Sequence, residues 1–299
     1  MNAMRLALCG VLGFALVACA PRKPRPVVSP PRPAENQPVP AAPHETSRPQ
    51  SQRYHKTQDS EPDGARVDVA TLVEPEPKAE PRARYGNKSP YSVLGKSYSV
   101  LPDAKGYVER GISSWYGAKF HGYMTSSLEP YDMYQFSAAH KSLPLPSYAR
   151  VTNLDNGKSV IVRVNDRGPF HDNRLIDLSY AAAVRIGVWP KGTGLVEVRA
   201  IDPEHPQAAA PAPKAKSGAR EPRIFLQIGA FAERANAERV GEDLRKGKIG
   251  AVVIDTRRIN DRDIHRVRLG PLASVEAADA LTTRVERLGL GTPRVAIDD

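Results

Sequence analysis

The stretch VIVRVNDRGPF, Val160 to Phe170, decides how the first half of the chain folds. Its four β-branched residues, Val160, Ile161, Val162 and Val164, make a strand. The run then delivers Asp166 into Arg167-Gly168-Pro169, a turn. On its own residues, Asp166 has two readings: a turn former ion-paired with Arg167, or a carboxylate set at a barrel rim for chemistry. Around this strand, GISSWYG (111–117), YARVTNL (148–154) and LVEVRAID (195–202) read as further short strands, with turns such as Asp155-Asn156-Gly157 between them. One helix is expected, Ser179 to Gly187, with Ser179 as N-cap and Gly187 as stop. Many short strands and one helix predict a small barrel. The region has no nucleophile elbow, cysteine, HExxH or P-loop, which removes several enzyme classes.

The rest of the 299-residue chain divides by composition. Its 28 prolines and mean hydropathy of -0.44 predict that part of it stays unfolded. The formal charge of +10 is spread along the chain, so no nucleic-acid patch is expected. Arg5 precedes an apolar run, Leu6 to Val17, the length of a signal-peptide core and too short to span a bilayer. Leu16-Val17-Ala18-Cys19 matches the lipobox of bacterial lipoproteins, which makes Cys19 the lipidated first residue of the mature chain. Ala20 after it favours the outer membrane. The expected organisation is a signal peptide over 1–18 and a lipidated, disordered Pro-rich tether over 19–84. A barrel domain over 85–202, a linker over 203–221 and a second domain over 222–299 follow.

The second domain reads as βαββαβ: RIFLQIGAF, the helix ERANAERVGEDLRK, AVVIDTRRI, HRVRLGPL, the helix SVEAADALTTRVERLG and PRVAI. Leu226, Ile228, Val267 and Leu269 should face the helices. Phe225, Gln227, Arg266 and Arg268 should line an open sheet face, either solvated or suited to a polymer of hydroxyls, acetamides and carboxylates. FLQIGAF and HRVRLGPLAS resemble the SPOR domain. That resemblance implies binding to peptidoglycan strands stripped of stem peptides, with Gln227 and Arg266 carried over as glycan contacts. Ala230 stands where many members have Ser.

The first domain also carries a resemblance. GISSWYGAKFHG, EPYDMYQFSAAHKSLPLPSYARVTNL and VIVRVNDRGPF followed by RLIDLSYAAA are similar to rare lipoprotein A, the RlpA family, over roughly Tyr85 to Asp202. The resemblance implies a six-stranded double-psi β-barrel, an α+β SPOR domain after it, and lytic transglycosylase activity, a lyase reaction, at the division septum. It implies that Glu129, Asp166 and His140 are the catalytic residues. Arg167 beside Asp166 would keep that carboxylate ionised, which makes Glu129 the expected acid and His140 a positioning or proton-exchanging group. Trp115, Tyr116, Tyr131 and Tyr134 either stack on sugars or fill a small core. Leu128 replaces a Gly that many members carry before the acid; a positive φ there would strain the loop. The expected partners are peptidoglycan, the membrane through the lipid anchor, and division-site proteins. No metal set or cofactor motif is present. A non-catalytic, expansin-like binding module is the competing reading, and an ordinary hydrolase a third.

Overall fold

The computed structural model describes residues 56, 58–63, 68–205 and 222–298. The signal peptide, Cys19 and most of the linker lie outside the described residues. A hairpin, β1 (Tyr91–Val93) and β2 (Lys96–Tyr98), precedes the barrel. The barrel strands are β3 (Val108–Tyr116), β4 (Ser137–His140), β5 (Ser147–Asn153), β6 (Ser159–Asp166), β7 (Arg174–Ser179) and β8 (Gly194–Ile201). They close in the order β3-β7-β4-β6-β5-β8. The β3/β7 and β4/β6 pairs are parallel and the other four antiparallel.

Period-two alternation fills the interior. Val160, Val162 and Val164 on β6, Ala149 and Val151 on β5, Ile176 and Leu178 on β7, and Val196 and Val198 on β8 are fully buried in one cluster. Each of the larger aliphatic side chains contributes about 1.5–3 kcal/mol by leaving water. The residues between them, Arg163 on β6, Ala139 on β4 and Asp177 on β7, therefore belong to the outer wall. Helix α1 (Tyr180–Ile186) starts at Ser179, whose Oγ accepts from the Ala182 N–H at 3.3 Å, and stops at Gly187 with φ +75°. Its alanines join the barrel core.

The tether was expected to run to residue 84, but residues 68–84 pack as a strap on the barrel. The Arg185 guanidinium donates to the carbonyls of Val69 and Leu72. Glu74 accepts from the Ile161 N–H at 3.2 Å. Glu80 accepts two hydrogen bonds of 3.0 Å from Arg163 and another from the Tyr148 hydroxyl. The domain boundary at residue 85 is therefore too late: polar side chains of the Pro-rich segment find fixed partners that composition does not reveal.

The second domain follows its expected order: β9 (Arg223–Phe231), α2 (Arg234–Lys246), β10 (Val252–Ile259), β11 (Arg262–Leu272), α3 (Val275–Arg287) and β12 (Arg294–Asp298). The antiparallel sheet has the order β10-β11-β9-β12. Leu226, Val267 and Leu269 are fully buried with Leu244 and Val285 of the helices, and Ile228 packs against them, as the alternation predicts. Helix α3 also meets the barrel: Asp279 accepts from Arg174 at 2.9 Å and from Asn173 at 3.0 Å. No helix among the described residues is long and apolar enough to cross a membrane.

Glu80→Ala should lower unfolding stability by about 1.5–3 kcal/mol, since it strips charge-assisted bonds from a half-buried guanidinium. Urea unfolding monitored by tryptophan fluorescence measures the loss.

Candidate active site

The loop Thr125–Glu129 is drawn onto the end of β6 by its serines. The Ser127 hydroxyl donates to the Asn165 carbonyl at 2.6 Å. The Ser126 N–H and hydroxyl both donate to Asp166 Oδ1, at 2.7 and 2.6 Å, and the Arg167 N–H donates to the same oxygen at 2.7 Å. Leu128 sits in the left-handed region at φ +63°, where a side chain costs about 1–2 kcal/mol. The loop absorbs this: the Thr125 N–H donates to the Glu129 carbonyl at 2.8 Å, and the Thr125 hydroxyl accepts from the Glu129 N–H at 3.2 Å. Glu129 thus reaches β6. Its carboxylate takes bonds of 2.5 and 2.9 Å from the two Nη atoms of Arg163 and one of 2.9 Å from Asn165.

These partners shift the two acids in opposite directions. Burial opposes charge on Glu129, but the Arg163 and Asn165 hydrogen bonds outweigh it and hold the carboxyl below its usual range. Asp166 shifts the other way: burial lifts it, and the Ser126 and Arg167 donors only partly offset that lift. The Arg167 charge favours ionised Asp166 only weakly. Its guanidinium turns inward, donating to the carbonyls of Gly86 at 2.7 Å, His140 at 3.0 Å and Leu143 at 2.5 Å. The two carboxyls thus sit in unlike environments, Glu129 held below and Asp166 lifted above the ordinary carboxyl range.

His140 does not face either carboxylate. It pairs with Ile176 on the interior side of the wall and is 1% exposed. Its Nδ1 accepts from the Leu143 N–H at 3.0 Å and the Ser142 N–H at 3.2 Å, and Nε2 lies 3.0 Å from the Tyr107 hydroxyl. Burial first, then the Arg167 and Lys141 charges, push the imidazole down to about 3. It is a neutral group that fixes a turn and offers its backbone carbonyl to Arg167. The expectation of proton exchange fails because the side chain points to the other face of β4.

The aromatic residues divide similarly. Tyr131 is 2% exposed, stacked on Tyr116 with ring centroids 4.1 Å apart, and its hydroxyl donates to the Tyr116 carbonyl, so it is core and not a sugar platform. Trp115 stays half-buried, edge-on to Tyr180. On the SPOR sheet, Phe225 and Arg268 are each 4% exposed, with the guanidinium 4.4 Å above the ring. Arg268 pairs with Asp298 and lies 2.9 Å from Asp255, which also accepts from Arg266. The face expected to be open is tied down by acids from β10 and β12, and only Gln227 and part of Arg266 remain accessible. Missed by sequence reasoning were Arg163, Asn165, Ser126 and Asp177, a second outer-wall carboxyl in RLIDLS whose strand was not recognised.

A buried neutral His makes stability pH-dependent. Unfolding restores a pKa near 6.5, so between about 6.5 and 3 the unfolded chain binds the extra proton and stability falls as pH falls, by at most about 1.4 kcal/mol per unit from this group. His140→Asn should flatten that slope in urea titrations run across the window. Leu128→Gly should raise unfolding stability by up to about 1 kcal/mol, since glycine removes the left-handed penalty but loses more entropy on folding.

A family model described as lytic transglycolase matches residues 108–200, and one described as SPOR domain matches residues 221–292. The Vibrio cholerae protein named endolytic peptidoglycan transglycosylase RlpA is 43% identical over 239 residues, covering 79% of this chain and 86% of that protein. The Pseudomonas aeruginosa (strain UCBPP-PA14) protein of the same name is 39% identical over 286 residues, with 78% and 83% covered. With a lytic transglycosylase barrel, a SPOR domain after it, and this identity sustained over most of both chains, the protein belongs to the RlpA family.

Proposed function

We propose that the protein is an endolytic peptidoglycan lytic transglycosylase. It cleaves between N-acetylmuramic acid and N-acetylglucosamine in peptide-free strands and leaves 1,6-anhydro-muramyl ends. The observation that carries this reading is the pair of unlike carboxyl groups on one outer wall, Glu129 held ionised by Arg163 and Asp166 raised by burial. Unlike environments are what separate a proton-exchanging acid from a charge-stabilising one. The 6-hydroxyl of the muramic sugar attacks its own C1 as the C1–O4 bond breaks, so the groove needs no site for a water nucleophile. The fixed charge of Glu129 stabilises the positive charge that develops at C1, and Asp166 exchanges protons with the sugar. Relatives named endolytic peptidoglycan transglycosylase support this reading.

The SPOR domain would hold denuded glycan through Gln227 and Arg266, and the Cys19 lipid would anchor the protein to the periplasmic face of the outer membrane. Together these bring the enzyme to septal wall during daughter-cell separation, where division-site proteins are candidate partners. Against the expansin-like alternative, Leu128 leaves Glu129 in contact with Arg163 on the wall.

The full-length protein, in detergent, with amidase-treated peptidoglycan should release anhydro-ended oligosaccharides detectable by mass spectrometry. Asp166→Asn and Glu129→Gln should each cut the rate by about 100-fold or more. Glycan binding with no new chain ends would return the expansin-like reading, and reducing ends would mark a hydrolase.

A further inference from the structure

Ala139 on β4 sits in register opposite Asp166 on one side and Asp177 on the other. Neighbouring strands lie about 4.8 Å apart, so the two acids stand in one row across three strands with only a methyl group between them. The turn after Asp166 folds over both: a Cβ at Gly168 would lie 3.7 Å from the Ala139 Cβ and 3.9 Å from Asp177 Oδ2. Ser114 on β3 pairs with Asp177 in register, and its hydroxyl bonds Oδ1. Oδ2 of Asp166 and of Asp177 accept no hydrogen bond among the described residues, and both residues are partly exposed.

We propose that Asp177 is a second catalytic carboxyl of this groove, the acid that protonates the leaving sugar oxygen, working across Ala139 from Asp166. The inference rests on the transglycosylase reading above and divides its two proton transfers between two residues. As the C1–O4 bond breaks, Asp177 gives its proton to O4. As O6 bonds to C1, the proton on O6 passes to Asp166. Each cleavage leaves Asp177 ionised and Asp166 protonated, and proton exchange with solvent, one released from Asp166 and one taken up by Asp177, restores both. No proton is consumed and no water enters the bond change.

The electrostatics agree with this division. Three donors converge on Asp166 Oδ1, whereas Asp177 has one hydroxyl. Burial pushes Asp177 up to about 6 against the pull of Ser114, and the Asp166 charge adds to the lift. The groups facing Asp177 are Ser114 and Tyr116 on β3, Lys141 just beyond β4, Asp166 on β6 and Arg174 on its own strand. Lys141 and Arg174 favour its ionised form and Asp166 the protonated one.

The test uses full-length protein with amidase-treated, peptide-free peptidoglycan. Asp177→Asn should reduce kcat about 100-fold or more with KM within about threefold. Ser114→Ala removes a bond that favours the ionised form, so the limb on which activity falls with rising pH should move to higher pH. A kcat for Asp177→Asn within about threefold of wild type overturns the proposal while the transglycosylase reading stands. If Asp177→Asn proves unfolded by thermal melt, Ser114→Ala decides: a shifted limb supports the proposal and an unmoved one overturns it. A wild-type protein that releases no anhydro ends refutes instead the reading on which this rests.

Discussion

The Arg163 guanidinium lies between two carboxylates, Glu80 from the strap and Glu129 from the 125–129 loop, and ties both segments to the same strand of the barrel. A half-buried guanidinium cannot shed its charge, so its neighbours must supply the opposite one. That requirement keeps the Glu129 carboxyl below its ordinary range. Farther along the wall, Asp166 and Asp177 lack such a guanidinium partner, and burial lifts both. The contrast between the acids therefore follows in large part from the placement of one cation on β6.

Much of the architecture was legible because alternation is a local signal. The β6 valines, the βαββαβ order of the second domain and the Ser179 cap all appear as read. Strands β4 and β7 were missed because SAAH is short and small and RLIDLS flows directly into a helix. The site suffered more, since side-chain direction across a closed barrel depends on register. His140 and Ala139 are neighbours in sequence, yet one faces the interior and the other the groove. Arg167, adjacent to Asp166, points its guanidinium hydrogen bonds at backbone carbonyls and acts on that carboxylate only weakly.

The SPOR sheet shows the same limit. Alternation placed Phe225, Gln227, Arg266 and Arg268 on one face, and they share it. What sequence did not disclose is that Asp255 on β10 and Asp298 on β12 converge there and occupy the guanidiniums. There three guanidiniums, Arg257, Arg266 and Arg268, share the two carboxylates, with Gln227 among them.

The strap changes how far the barrel can travel. Residues counted as free chain up to 84 are instead engaged with the barrel, first at Asp59 and Ser60, which accept from the backbone N–H groups of Gly117, Lys119 and Ala118, and again from residue 68 onward. A polyproline-like segment from 59 to 84, at about 3.1 Å per residue, would span roughly 80 Å. That distance must be subtracted from any radius within which the domain could search for substrate from a fixed point near the N-terminus.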